Sequence, residues 1–135
     1  MGSKRWFLGR PGDDLTREGC AYIPQSTVAD CIHQFGLPFL YEKFHEAIFM
    51  NDVYDALWFQ PNNKVDKRII AERMLGLKRS MEQTITWKGE DFCIPVDFKI
   101  GWNAGEKEDI IVTDDIDITA ENITRILEVQ RESKN

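Results

Sequence analysis

The chain is poor in residues that announce a chemistry. Cysteine occurs three times, at Cys20, Cys31 and Cys93, and histidine twice, at His33 and His45. No Cys-x-x-Cys pair is present, and these spacings fit no standard zinc module. An odd, sparse cysteine set in a chain of this size points to a reducing compartment and not to a disulfide scaffold. Glycine and proline form no phosphate-binding loop. Gly9-Arg10-Pro11-Gly12 lacks both a strand-to-helix setting and a Gly-Lys-Ser/Thr sequence, so it reads as a turn. No apolar run approaches the roughly 20 residues of a membrane helix. None follows Lys4 and Arg5 in the manner of a signal peptide. Position 6 is Trp6, where the myristoylation pattern needs Ser or Thr. The expectation is a cytoplasmic protein with no membrane partner.

Positive charge is also short. Seventeen Lys and Arg stand against 23 Asp and Glu, a net charge of −6. Affinity for phosphate backbones comes mostly from Lys and Arg, which argues against a general nucleic-acid binder. A local basic patch stays open.

What is present is a core. With 42% apolar residues in 135, including four Trp and eight Phe, the chain can bury one without staples. One domain over residues 1–135 is expected, with flexible ends at 1–4 and 131–135. Trp6-Phe7-Leu8 reads as an edge strand or an arm laid on the core. A short helix is predicted from Ser26 through Val28, Ala29 and Ile32, ended by Gly36. Pro38 then opens a second helix running to about Trp58, where Gln60-Pro61-Asn62-Asn63 breaks it. A third is predicted from Lys64 to Met81, capped by Asn62 or Asn63.

Beyond Met81 the period changes to two. Ile85 and Trp87 share a face before a turn at Lys88-Gly89-Glu90-Asp91. Phe92, Ile94, Val96, Phe98, Ile100 and Trp102 then alternate with polar or small positions, Pro95 requiring an edge or a bulge. After a turn at Asn103-Ala104-Gly105, a strand is expected at Asp109 to Thr113 and a last helix from Thr119, with Ile123, Ile126 and Leu127 inward. Helices first, strands next and one helix last make an α+β fold. N-terminal helices pack on a three-stranded antiparallel meander, with a C-terminal helix.

The sharpest chemical element is Asp97-Phe98-Lys99. Two residues apart on a strand, its acid and its lysine share a face. It resembles the acidic-x-Lys element of the restriction-nuclease-like superfamily, covering only these few residues. The resemblance implies that Asp97 holds Mg²⁺ and Lys99 stabilises charge near the attacking water. That family also needs an upstream acid, for which Asp91, Glu82 and Glu72 are available. Against it stands the plain reading of a solvent-facing strand edge. Asp114-Asp115-Ile116-Asp117 fails the EF-hand pattern and suits a helix N-terminus, with Asp117 or Thr119 as cap. No cofactor or metal is expected.

Two surfaces say more. Lys64, Lys67, Arg68, Lys78 and Arg79 form one stripe of the third helix, open to a phosphate-bearing ligand or to the chain's own acids. The second helix is apolar on more than one side. Phe49 and Val53 lie opposite its core face, which suggests cover by another protein or by a second copy in a homodimer. The reading is therefore a non-enzymatic binding, regulatory or inhibitory accessory protein of the kind phage or bacteria carry. The Mg-dependent nuclease using Asp97 and Lys99 is the alternative. A small-ligand or nucleotide-binding module stacking a base on Trp87 or Trp102 is the second alternative.

Overall fold

The computed structural model describes residues 11–53 and 55–133. Its element order is α1 (Asp13–Cys31), a π-helical turn (Ile32–Gly36), α2 (Leu37–Lys43), β1 (Ala47–Val53), β2 (Ala56–Pro61), α3 (Lys67–Met81), β3 (Ile85–Trp87), β4 (Glu90–Phe92), β5 (Phe98–Ile100), β6 (Glu108–Ile110) and α4 (Ile116–Glu132). The fold is mixed helix and sheet. The expected arm at Trp6-Phe7-Leu8 lies outside the described residues.

α3 and α4 make the centre. Ile70, Ala71, Met74 and Leu77 of α3 pack with Ala120, Ile123 and Ile126 of α4, at helical spacing on both, and Ile123 and Ile126 face inward as expected. Leu40 and Phe44 join from α2, and Phe98, Ile110 and Val112 join from the β5–β6 region. Both helices start later or earlier than expected because the capping acids are others. The Asp66 carboxylate accepts from Arg68 N at 2.9 Å, so α3 begins at Lys67 and Lys64 precedes it. Asn62 instead accepts from Lys64 N at 3.0 Å and turns the chain. Asp115 accepts from Asp117 N and Ile118 N at 3.0 and 3.2 Å, so α4 begins at Ile116. Thr119 is then inside the helix and fully buried.

The N-terminal half departs further from expectation. α1 begins at Asp13, with Ser26 inside it and not at its cap. The hydroxyls of Ser26 and Thr27 both donate to the Ile23 carbonyl, at 3.0 and 2.8 Å. Gly36 does not end a helix either. Its backbone is helical, and a Cβ there would meet Leu57 Cδ1 at 2.7 Å, so the missing side chain lets β2 approach. The helix expected over 38–58 ends at Lys43. From Ala47 the chain forms an antiparallel hairpin, pairing Ala47 with Pro61 and Phe49 with Phe59, with a bulge between Phe49 and Asn51. Phe59 packs tilted on Phe44, ring centroids 5.4 Å apart, and Phe49 on Tyr41 at 5.9 Å. These aromatic contacts place one hairpin face against the core, and they outweigh a helical continuation that local propensity allows.

The strands form three two-stranded ladders, β1–β2, β3–β4 and β5–β6, in place of one three-stranded meander. The long alternation from Phe92 to Trp102 is cut in the middle. Pro95 has no N–H, and the Val96 N–H is taken by Glu82 Oε1 at 2.9 Å, so residues 93–97 join no ladder. The expected strand after Gly105 runs over Glu108–Ile110. In the intervening loop, Asn103 Oδ1 accepts from Gly105 N and Glu106 N, both at 2.9 Å.

Candidate interaction site

The basic stripe is engaged with the chain itself. Arg68 Nε lies 3.1 Å from Asp117 Oδ1, and Arg79 Nη2 donates to Asp114 Oδ1 at 2.8 Å. Lys78 Nζ donates to the Val112 carbonyl at 3.3 Å and Lys67 Nζ to the Asn63 carbonyl at 3.2 Å. Asp114, just before α4, and Asp117, in its first turn, thus face the cations of α3. The ion pairs are exposed, so each contributes little energy. Lys64, also exposed, sits in the turn before the helix.

Asp97 and Lys99 are both exposed, Asp97 just before β5 and Lys99 within it. The β5–β6 register sets Lys99 opposite Asp109, and its ammonium lies 3.3 Å from the Asp109 carboxylate. Asp91 stands on β4, in a different ladder from Lys99. Glu82 caps the end of α3 and holds Val96 N, while Glu72 is exposed on α3. Among the described residues, no group of three or more His, Cys, Asp or Glu side chains gathers to hold a metal.

Phe49 and Val53 lie on β1. Phe49 is half-buried against Tyr41, and Val53 is exposed near the hairpin end. Other apolar residues of the strand are turned further outward. Ile48 is 69% exposed and Met50 59%, and with Trp58 they line one wall of a cleft of about 970 Å³. Ile48 pairs with Gln60, and Trp58 alternates with the inward Phe59, so Ile48, Trp58 and Gln60 share the outer face. The chain from Ile94 to Ala104 also lines the cleft, which reaches down to Met74, Leu77 and Ile123 of the core.

Ordered contacts shape this cleft. Lys107 Nζ lies 3.8 Å from the centroid of the Trp58 ring. The Trp102 indole N–H donates to the Leu127 carbonyl at 2.9 Å, and its backbone N–H to Gln130 Oε1 at 3.2 Å. The charged residues lining the cleft are Lys67, Lys99 and Lys107 against Asp55 and Asp97, an excess of one positive charge in a chain of net −6. Two acids brace the hairpin. Hydrogen bonds from Arg73, at 3.3 and 3.4 Å, hold the Glu46 carboxyl below its ordinary range. His33, with Nε2 at 2.9 Å, does the same for Asp52. Burial pushes the Cys31 thiol up.

The sequence signal for this face is the apolar run Ile48-Phe49-Met50 beside Trp58-Phe59, bounded by Asn51-Asp52 and Asp55, a run that favours neither a helical nor a two-residue period. No described helix is long and apolar enough to cross a membrane. Comparison with known proteins returns no match: no family model, no curated protein and no solved structure resembles the chain.

Proposed function

We propose that this chain is a non-enzymatic binding module, regulatory or inhibitory, that acts in the cytoplasm through contact with another protein or a second copy of itself. The observation that supports this is the outer face of the β1–β2 hairpin. A two-stranded ladder with one face on the core ordinarily turns polar residues to water. Here that face carries Ile48, Met50 and Trp58 and opens onto an apolar cleft. A contiguous exposed apolar surface with a polar rim is the usual mark of an interaction site.

A photo-crosslinking residue at position 48, compared with one at the exposed position 128 on α4, tests this in cells. Protein adducts are expected from position 48, suppressed by Met50→Lys and scarce from position 128. Equal adducts from both positions, or none from 48, count against the proposal.

A second reading draws on Trp58 and Trp102, which line the same cleft with three lysines. It is a small-ligand or nucleotide-binding module whose ligand is flat and anionic. Tryptophan emission that stays constant through a nucleotide titration rules it out.

A further inference from the structure

An apolar cleft of about 970 Å³ whose floor is the protein core calls for a large apolar occupant, because interiors are otherwise close-packed. One such group stands on the rim. The β3–β4 hairpin is rooted by Ile85, 8% exposed. Beyond that root it shows Trp87, 58% exposed, and Phe92, 43% exposed. Ile85 pairs with Phe92 and Trp87 with Glu90, so both aromatic side chains lie on one face of the ladder. The tip is held in a defined turn, with Lys88 and Gly89 at φ 52° and 84°, as a type I′ connection requires. Two residues after Phe92, Ile94 already lines the cleft, yet neither Trp87 nor Phe92 does. Knob and cleft are neighbours on one molecule.

We propose that the cleft receives the β3–β4 hairpin of a second copy of this chain, with Trp87 seated against Ile48, Met50 and Trp58. This rests on the protein-contact reading above and names its partner. The charges agree. The cleft lining holds Lys67, Lys99 and Lys107 against Asp55 and Asp97, with Lys99 shared by Asp109, while the hairpin carries Glu90 and Asp91 against Lys88, so the cleft offers cations to a hairpin of net negative charge. Adjacency of knob and cleft lets a two-fold axis place each knob in the other copy's cleft, a self-complementary and closed arrangement. Trp87 and Phe92 are each about half exposed, so four such side chains of roughly 150–250 Å² and the cleft walls they cover bury about 600–1,000 Å², the lower edge of what a specific interface needs.

Sedimentation velocity over a concentration series, with the full chain, tests the proposal through Trp87→Ser and Met50→Glu. Both positions are exposed, so each variant keeps the fold, which circular dichroism checks. The wild-type chain is expected to dimerise. Each variant alone weakens the dissociation constant about 30-fold or more, as loss of a central aromatic anchor does. An equimolar mixture of the two variants retains one intact knob-and-cleft contact and regains dimer. A monomeric wild-type chain overturns the proposal, as do variants that dimerise normally or a mixture that regains nothing. If the chain is monomeric while position 48 still forms adducts with other proteins, the second copy is wrong and the protein-contact reading stands. If those adducts are absent too, both fail.

Discussion

Lys107 lies with its ammonium 3.8 Å from the centre of the Trp58 ring, which joins the loop after β5 to the outer face of the β1–β2 hairpin across the mouth of the cleft. At a solvent-facing site such a cation–π contact contributes about 0.5–1 kcal/mol. Lys107→Met should lower the unfolding free energy by about that amount and shift the tryptophan emission. Urea denaturation followed by fluorescence reads both, and unchanged values in both would refute the contact.

The docking of the hairpin on the helices depends on Phe44. Its side chain has no solvent exposure and packs on Phe59 at 5.4 Å between ring centroids. Phe44→Ala should cost about 3–5 kcal/mol through lost burial and the cavity left behind. Phe49→Ala, at a half-buried position, should cost clearly less. Equal losses in chemical denaturation would mean that the fully buried Phe44 anchors the hairpin no more than the half-buried Phe49 does.

Thr119 is the buried polar residue at the start of α4. Its hydroxyl accepts from Thr113 N at 3.2 Å and donates to the Asp115 carbonyl at 3.1 Å. Thr119→Val keeps the shape and strands the Thr113 N–H, so it should destabilise by about 1–3 kcal/mol. Thr119→Ser, which keeps the hydroxyl, should retain the Thr113 hydrogen bond at the lesser cost of a lost methyl. A valine variant as stable as wild type would show that the hydrogen bond is not needed.

Glu46 and Asp52 make stability depend on acid pH. Arg73 and His33 lower their folded pKa values below those of the unfolded chain. That stabilisation is fully present above the ordinary carboxyl range, about pH 4, and is lost as pH falls through the lower folded values. Urea midpoints across a pH series should fall on acidification for the wild-type chain. They should fall less steeply for the pair Glu46→Gln with Asp52→Asn, and superimposable profiles would refute this origin.

What could be read from sequence followed from how much of each element local forces decide. α3 and α4 have a clear apolar stripe and acids able to cap them, so their existence and inward faces were legible. Their first residues were not, because Asn62, Asp66, Asp115, Asp117 and Thr119 compete as caps and only packing chooses among them. The β1–β2 hairpin is not legible as strands because Ile48, Phe49 and Met50 are all apolar and favour neither period. One face serves the core through Phe49 and Phe59, and the other carries Ile48 and Trp58 outward, so no polar alternation reveals the strand. The interrupted run from Phe92 to Trp102 hid its break at Pro95, since the Glu82 side chain that takes the Val96 N–H comes from another element. The stripe of Lys67, Arg68, Lys78 and Arg79 was visible as a pattern, while its pairing with Asp114, Asp117 and nearby carbonyls depends on how α3 and α4 cross.

Methionine oxidation footprinting most directly tests whether the outer hairpin face meets another protein. Met50 is 59% exposed and Met74 only 4%. In the purified chain at high dilution Met50 should oxidise readily and Met74 slowly. In the cell, the proposed partner on the cleft should protect Met50 toward the level of Met74. Met50 oxidised as readily in the cell as in dilute solution would contradict a covered face.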